Sequence, residues 1–464
     1  MAPANKKRIE SELRKIPGVD RLLEFPQIKE LSDKWSQPLI VSFIRAELTE
    51  IRSSIRNGEK YTGDASLIIS ISGAIENYTT GLLKEVINAT GIIIHTNLGR
   101  SPLSKDILDY ILQIASGYSN LEFDLITGKR GKRGQALSHL LSTAIGCEAG
   151  LVVNNNAAAL FLALSEIGFG KEVLISRGEL VQIGGGFKIP EIMAQSGAIM
   201  KEVGTTNRTS LNDYKKAVTK NTAMILKVHS SNFIIDGFTE SAGFGELVSF
   251  AKKKRIPVLI DLGSGVLLKP SESGLVNEPT VHDALRSRAD LICFSGDKLL
   301  GGGQAGIIVG KRRLINRLRK NPIYRIIRPD KITIGIIEKL FIKYLKGDID
   351  GIPIWSEITF NIDMLKRRSE RFIRKLGLPE GTVSIKEGNA YAGGGSDPGG
   401  KIKSIVIVFN KMTPASIAEK LRKCEPPVIG RIDGGKFCID LRTVLPHQEK
   451  QLVSLITKSI NNLQ

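Results

Sequence analysis

Cysteine is scarce, with four in 464 residues (Cys147, Cys293, Cys424 and Cys438), and none is spaced CxxC. That excludes a disulfide-stapled scaffold and a cysteine zinc site, and reads as reduced thiols of a cytoplasmic protein. Five scattered histidines add no zinc pattern. Aromatic residues make up only 6% of the chain, which argues against a stacking platform for single-stranded nucleic acid. No apolar stretch reaches membrane-spanning length, and the opening Met-Ala-Pro-Ala-Asn-Lys-Lys-Arg lacks the apolar core of a signal peptide. A soluble protein that stays in the cytoplasm is expected. Acidic residues are also short, 47 against 66 basic, which leaves a net charge of +19. Such an excess fits a polyanionic partner, nucleic acid or a phosphate-rich substrate, or else a lysine-rich proteome. It is densest between Lys311 and Lys346, which include Arg317, Arg325 and Arg328, so the basic surface lies partly over the main body.

What is present is organised around Ala289-Asp290-Leu291-Ile292-Cys293-Phe294-Ser295-Gly296-Asp297-Lys298, followed by Gly301-Gly302-Gly303. A lysine at the mouth of an apolar strand, next to glycines that free the backbone, is either a solvated strand end or a Schiff-base lysine. Upstream, Val258-Leu259-Ile260-Asp261 is a second apolar strand ending in an acid. Pyridoxal phosphate chemistry needs that pair, a lysine for the aldehyde and an aspartate to keep the pyridine nitrogen protonated. In an open parallel sheet both emerge at the carboxyl edge, where ligands bind.

Taken in order, residues 1 to about 80 read as a separate helical piece, with an amphipathic helix from Ile40 to Ile55 ended by Asn57-Gly58. Its charge through Lys60 is nearly balanced, twelve basic to nine acidic, so charge alone does not make it a nucleic-acid module. Gly91 to His95 reads as a strand, and the turn after it carries Arg100, which either faces a sheet edge or braces a loop. Gly128 to Gly134 holds four cations and reads as a phosphate-contacting loop or a solvated one. Val152-Val153-Asn154-Asn155-Asn156-Ala157-Ala158 opens a helix, and asparagines at a helix N-terminus both cap it and leave N–H groups for an anion. Strands and helices then alternate through Leu262, and Ile307-Ile308-Val309 reads as a returning strand. That rhythm implies a mostly parallel sheet. Beyond Lys346 a small α+β piece is expected, with a hairpin around Asp433-Gly434-Gly435 and a mobile glycine-rich loop, Ala392 to Gly400.

Several stretches together resemble the bacterial selenocysteine synthase (L-seryl-tRNA(Sec) selenium transferase) family. They are Ile87 to Gly91 with His95 to Arg100, Gly128 to Arg133, Val153 to Ala158, Arg177-Gly178-Glu179-Leu180, Val203-Gly204-Thr205-Thr206-Asn207, Asp261 to Gly265 and Phe294 to Lys298. Leu13 to Pro17 with Val19 to Leu23 resembles the family's opening motif. The resemblance implies an α/β, fold-type-I pyridoxal phosphate enzyme that assembles as a homodecamer. A helical tRNA-binding domain would cover residues 1–80, the catalytic domain 81–340 and a small α+β domain 341–464. Lys298 would carry the cofactor and act as base at Cα, Asp261 would hold the pyridinium proton, and Asp297 would assist. Asn154, Asn155, Asn156, Ala157, Ala158 and Ser295 would cradle the phosphate, and Arg100, Arg325 and Arg328 would hold the selenium donor.

The implied reaction converts seryl-tRNA(Sec) to selenocysteinyl-tRNA(Sec). Water leaves by β-elimination to give an aminoacrylyl ester, and selenium from selenophosphate then adds. An ester substrate has no carboxylate to neutralise, so three arginines suit a small multivalent anion better than an amino acid. The alternatives are a relative with the same cofactor acting on a small amino acid or amino-sugar acid, and an RNA-binding scaffold without chemistry. The extra 80 residues and the charge favour tRNA, and intact Lys298 and Asp261 favour chemistry. Gly303, Gly185 and Lys188 depart from the family's expected residues.

Overall fold

The computed structural model describes residues 3–183, 186–268, 275 and 278–461, so Gly185 lies outside the described residues. The chain forms two compact units, Met1–Glu85 and Val86–Gln464. In the first, spacing of three and four builds the helix Gln37–Arg56, with a proline in its first turn and Asn57 as its C-cap. Ile40, Ile44 and Leu48 on its inner face pack into one core with Leu22, Ile28, Leu67, Ile71 and Ile75 of its neighbouring helices. One of those neighbours, Asp64–Thr80, had no clear sequence signal. Its start is pinned by the Tyr61 hydroxyl donating to Asp64 Oδ1 (2.7 Å) and by Arg21 on Oδ2 (3.0 Å).

The second unit holds the expected sheet. With Ile92–Ile94 as β1, its strands are β2 (Ala149–Val153), β3 (Glu172–Ser176), β4 (Ile199–Val203), β5 (Thr222–Val228), β6 (Val258–Gly263), β7 (Leu291–Ser295) and β8 (Gly306–Gly310). The order is β2-β8-β7-β6-β5-β3-β4, and only β8 runs antiparallel to its neighbours. Every residue of β6, β7 and β8 is buried, as in a sheet covered on both faces. Successive residues feed opposite cores: Ile260, Ile292 and Ile307 pack into one, Leu259, Cys293 and Ile308 into the other. Gly306 lets β8 press against the turn after β2, since a Cβ there would stand 2.1 Å from the Asn155 carbonyl oxygen.

The C-terminal strands β9 (Val383–Gly393), β10 (Ile402–Phe409), β11 (Arg431–Asp433) and β12 (Lys436–Asp440) form a second sheet, ordered β11-β12-β10-β9-β1. The expected hairpin is present as β11 and β12 around Gly434-Gly435. Val428–Ile429 is not part of it, and pairs in parallel with Ile87–Asn88 instead. The segment that opens the second unit is therefore tied to its end. Strand β9 was not expected from sequence, nor were the helices Lys331–Lys346 and Ile362–Leu376. The loop expected to be mobile is packed: Ser396 and Asp397 are buried, and the Asp397 N–H donates to Glu278 Oε2 at 2.9 Å.

Candidate active site

Strands β6 and β7 are parallel neighbours, with Asp261 opposite Cys293 in their register. Asp261 and the Ser295-Gly296-Asp297-Lys298 turn therefore leave the sheet at the same carboxyl edge. The helix Asn156–Ile167 starts at that edge too, directly after β2. These elements enclose a cavity of about 240 Å³. Eight sequence-expected residues line it: Arg100, Asn155, Asn156, Ala157, Asp261, Ser295, Asp297 and Lys298.

Lys298 and Asp261 are 5% and 7% exposed. Burial lowers the affinity of Lys298 for its proton; Asp261 opposes that shift, and Arg100 adds to it. Burial raises the Asp261 carboxyl, against hydrogen bonds from Asn156 Nδ2 (2.9 Å) and the Gly263 N–H (3.1 Å) and against the charge of Lys298. Arg100 Nη1 donates to Asp297 Oδ2 at 2.6 Å, from a backbone held at φ +65°. The Ser101 hydroxyl meets the carbonyls of Asp297 (3.1 Å) and Lys298 (2.8 Å), which pins the lysine turn.

The three asparagines have separate places. Asn155 is the helix N-cap, its Oδ1 accepting from the Ala158 N–H at 2.8 Å. Asn156 reaches Asp261. Asn154 is exposed, with its N–H donating to the Ile327 carbonyl at 2.9 Å. Asn154 and Ala158 are thus not among the residues lining the cavity, and neither are Arg325 and Arg328. Arg325 is exposed on the short helix Pro322–Ile327. Arg328 Nη1 donates to Glu122 Oε1 at 3.2 Å, a carboxylate shared with Arg133 (2.8 Å) and Arg130 (3.1 Å). Of the departures, Gly303 packs on Ile336, and exposed Lys188 pairs with Glu191 at 2.8 Å.

Sequence reading missed His229, Ser231 and Gln304, which also line the cavity. His229 Nε2 lies 3.3 Å from Glu278 Oε2, the same oxygen that receives the Asp397 N–H. It missed Gly395 as well, whose carbonyl is 3.5 Å from Lys298 Nζ. Gly395 sits at φ +80°, where glycine is favoured, and a Cβ there would stand 2.7 Å from that nitrogen and push the lysine end aside. The strand-end position of His229 was a usable signal; nothing local marked Gly395.

The family model described as L-seryl-tRNA selenium transferase matches residues 86–445. The chain belongs to this family. A second model, selenocysteine synthase N terminal, matches residues 13–52. Among L-seryl-tRNA(Sec) selenium transferases, that of Carboxydothermus hydrogenoformans is 42% identical over 460 residues, covering 97% of this chain and 98% of that one. The Alkaliphilus metalliredigens protein is 43% identical over 464 residues, with 97% and 98% covered. Among solved structures, D-glucosaminate-6-phosphate ammonia-lyase superimposes with a TM-score of 0.59 at 17% identity, covering 84% of this chain and 98% of that one. That likeness shows the fold, the fold-type-I architecture expected from sequence.

In this selenium transferase family member the cavity's donor set suits pyridoxal phosphate. It offers a buried amine of lowered basicity, a buried carboxyl for a ring N–H, and a helix N-terminus for a phosphate. The buried Asn156 Oδ1 has no partner among the described residues, so the wall keeps polar capacity for a guest. Arg100→Ala removes a cation from beside Lys298 and frees Asp297 to attract it, both of which hold the proton on Nζ more tightly. The pH midpoint for capture of pyridoxal phosphate, followed by stopped-flow absorbance, is expected to move upward. An unmoved midpoint would show that the charge of Arg100 does not reach the amine.

Proposed function

We propose that this protein converts seryl-tRNA(Sec) to selenocysteinyl-tRNA(Sec), with pyridoxal phosphate as cofactor and selenophosphate as donor. The observation that carries the reading is the Lys298–Asp261 pair in one cavity, in a chain that aligns nearly end to end with L-seryl-tRNA(Sec) selenium transferases. Bound pyridoxal phosphate supplies an aldehyde for the substrate amine and an electron sink for the pair left at Cα. The chain's own residues do the rest. Lys298 Nζ, its basicity reduced by burial, would hold the cofactor's aldehyde and, once freed by the substrate amine, would take the α-proton. Asp261 holds a proton at the ring nitrogen. Asn155, Ala157 and Ser295 orient the phosphate at the helix N-terminus. Asp297, held by Arg100, lines the cavity with Lys298 and would assist departure of the β-hydroxyl as water. Arg100 also presents a guanidinium to the incoming anion.

The unit Met1–Glu85 is assigned to the tRNA, and the +19 charge supports a polyanionic substrate. A homo-oligomer, a decamer by family resemblance, belongs to the same reading. Leu108, Leu112, Tyr118, Leu125 and Ile126 are exposed apolar side chains on the segment to which Arg328 and Lys331 are hydrogen-bonded. Surfaces of that kind favour self-association. Arg325 and Arg328 would then serve the donor from such an interface. A cytoplasmic location agrees with the reduced thiols, and no described helix is long and apolar enough to cross a membrane.

The test is turnover with purified protein, pyridoxal phosphate and selenophosphate on seryl-tRNA(Sec), with serine on an ordinary serine tRNA as control. Selenocysteinyl-tRNA is expected only from the first. Cofactor taken up while both seryl-tRNAs stay intact would move the assignment to a small-molecule lyase.

A further inference from the structure

The two amide hydrogen bonds to the Asp261 carboxyl converge on one oxygen. Asn156 Nδ2 and the Gly263 N–H each donate to Oδ1, at 2.9 and 3.1 Å, and neither engages Oδ2. Asn156 reaches across 105 positions of sequence to do so, from the first turn of the helix that follows β2. It is not needed there for capping, because Asn155 already fills that role through the Ala158 N–H. Its own Oδ1 is buried without a partner among the described residues, a cost accepted with the amide in this orientation.

We propose that Asn156 is a positioning residue that locks Oδ1 of Asp261, leaving Oδ2 to receive the ring N–H of the cofactor. The assignment rests on the reading that this cavity takes pyridoxal phosphate. A carboxyl this deeply buried is pushed toward its neutral form, and a neutral acid no longer offers the negative charge that holds a pyridinium proton. A donor on Oδ1 stabilises the ionised form and fixes which oxygen faces the ring. The Gly263 N–H holds the carboxyl from its own strand end; Asn156 holds it from the facing helix, so the two together set its plane. The Cys293 thiol is a further, weaker donor to the same carboxyl, and its pKa is raised by burial, by the charge of Asp261 and by that hydrogen bond.

The experiment titrates full-length wild type, Asn156→Ala and Asn155→Ala with pyridoxal phosphate, and follows the visible absorption of each loaded protein against pH. Asn156→Ala is expected to bind the cofactor roughly tenfold more weakly, the loss of one hydrogen bond to a charged group. Its absorption midpoint should also move to higher pH, because the positive charge at the ring nitrogen is no longer held. Asn155→Ala, which loses the helix cap and a group that orients the phosphate, should melt earlier and load less cofactor, with its midpoint unmoved. If Asn156→Ala folds poorly, Asn156→Leu, with the same branched skeleton and unable to donate, carries the same test. Equal weakening in both variants with unshifted midpoints would reduce Asn156 to a structural residue. Wild type that takes up no cofactor would overturn the reading beneath the assignment as well as the assignment.

Discussion

Lys298→Ala is expected to abolish selenocysteinyl-tRNA formation, with a rate loss on the order of 10⁴-fold or more, because one nitrogen is both nucleophile and base. The variant should still bind pyridoxal phosphate reversibly through Asp261 and the helix N-terminus, and the cofactor should wash out on dialysis. Retained turnover would remove Lys298 from the mechanism. The same lysine weakens the cofactor-free fold, and the sign follows from its shift. Burial lowers its folded pKa, so the unfolded chain binds the proton more tightly. The penalty is full below the folded pKa and fades as pH rises to the unfolded lysine value. Lys298→Met, which keeps the stem, should therefore melt above the cofactor-free wild type near neutral pH, by a margin that shrinks in alkali. A margin that grows with pH would contradict the burial argument.

Asp261→Asn is the second large effect. Turnover should fall on the order of a thousandfold, the scale of losing a positioned proton holder, since an amide cannot keep the ring nitrogen protonated. The folded protein should lose little. An asparagine oxygen still accepts from Asn156 Nδ2 and from the Gly263 N–H, so neither donor is orphaned. Burial raises the Asp261 carboxyl in the folded state, so its stability contribution falls as pH rises from the unfolded carboxylate value through the folded one. The asparagine has no such loss. Cofactor-free Asp261→Asn should gain thermal stability over wild type with rising pH across that window, while its turnover falls. Calorimetry against pH, beside single-turnover assays, separates the two. A variant both inactive and unfolded would mean that Asp261 acts in the fold instead.

The parts of the site that could be read from the chain are those whose signal is local. Asp261 ends a run of apolar residues and Lys298 stands just beyond one, each with a glycine two positions away, which is enough to place both at a sheet edge. The Asn154-Asn155-Asn156 run marked a helix start but not the division of labour in it. Which asparagine caps and which turns to Asp261 depends on where β6 stands, and β6 comes about a hundred residues later. Arg325 and Arg328 were grouped with Arg100 through family resemblance, yet within one chain they stand apart from it, Arg328 on Glu122 and Arg325 exposed.

By itself, then, the sequence determined the alternation of strands and helices, the helical first unit, the family and the Lys298–Asp261 pair. Each of these is written in periodicity, capping or short motifs that neighbours along the chain can satisfy. Tertiary structure alone decided that β1 joins the C-terminal sheet, that Val428–Ile429 pairs with Ile87–Asn88, and that Gly395 comes within reach of Lys298. It also placed the His229–Glu278 pair beside the same cavity. These are pairings between distant segments, in which strand edges and a glycine-rich loop fill whatever space the large sheet leaves. Their partners are chosen by packing and backbone hydrogen bonding across the whole unit, which no local pattern records.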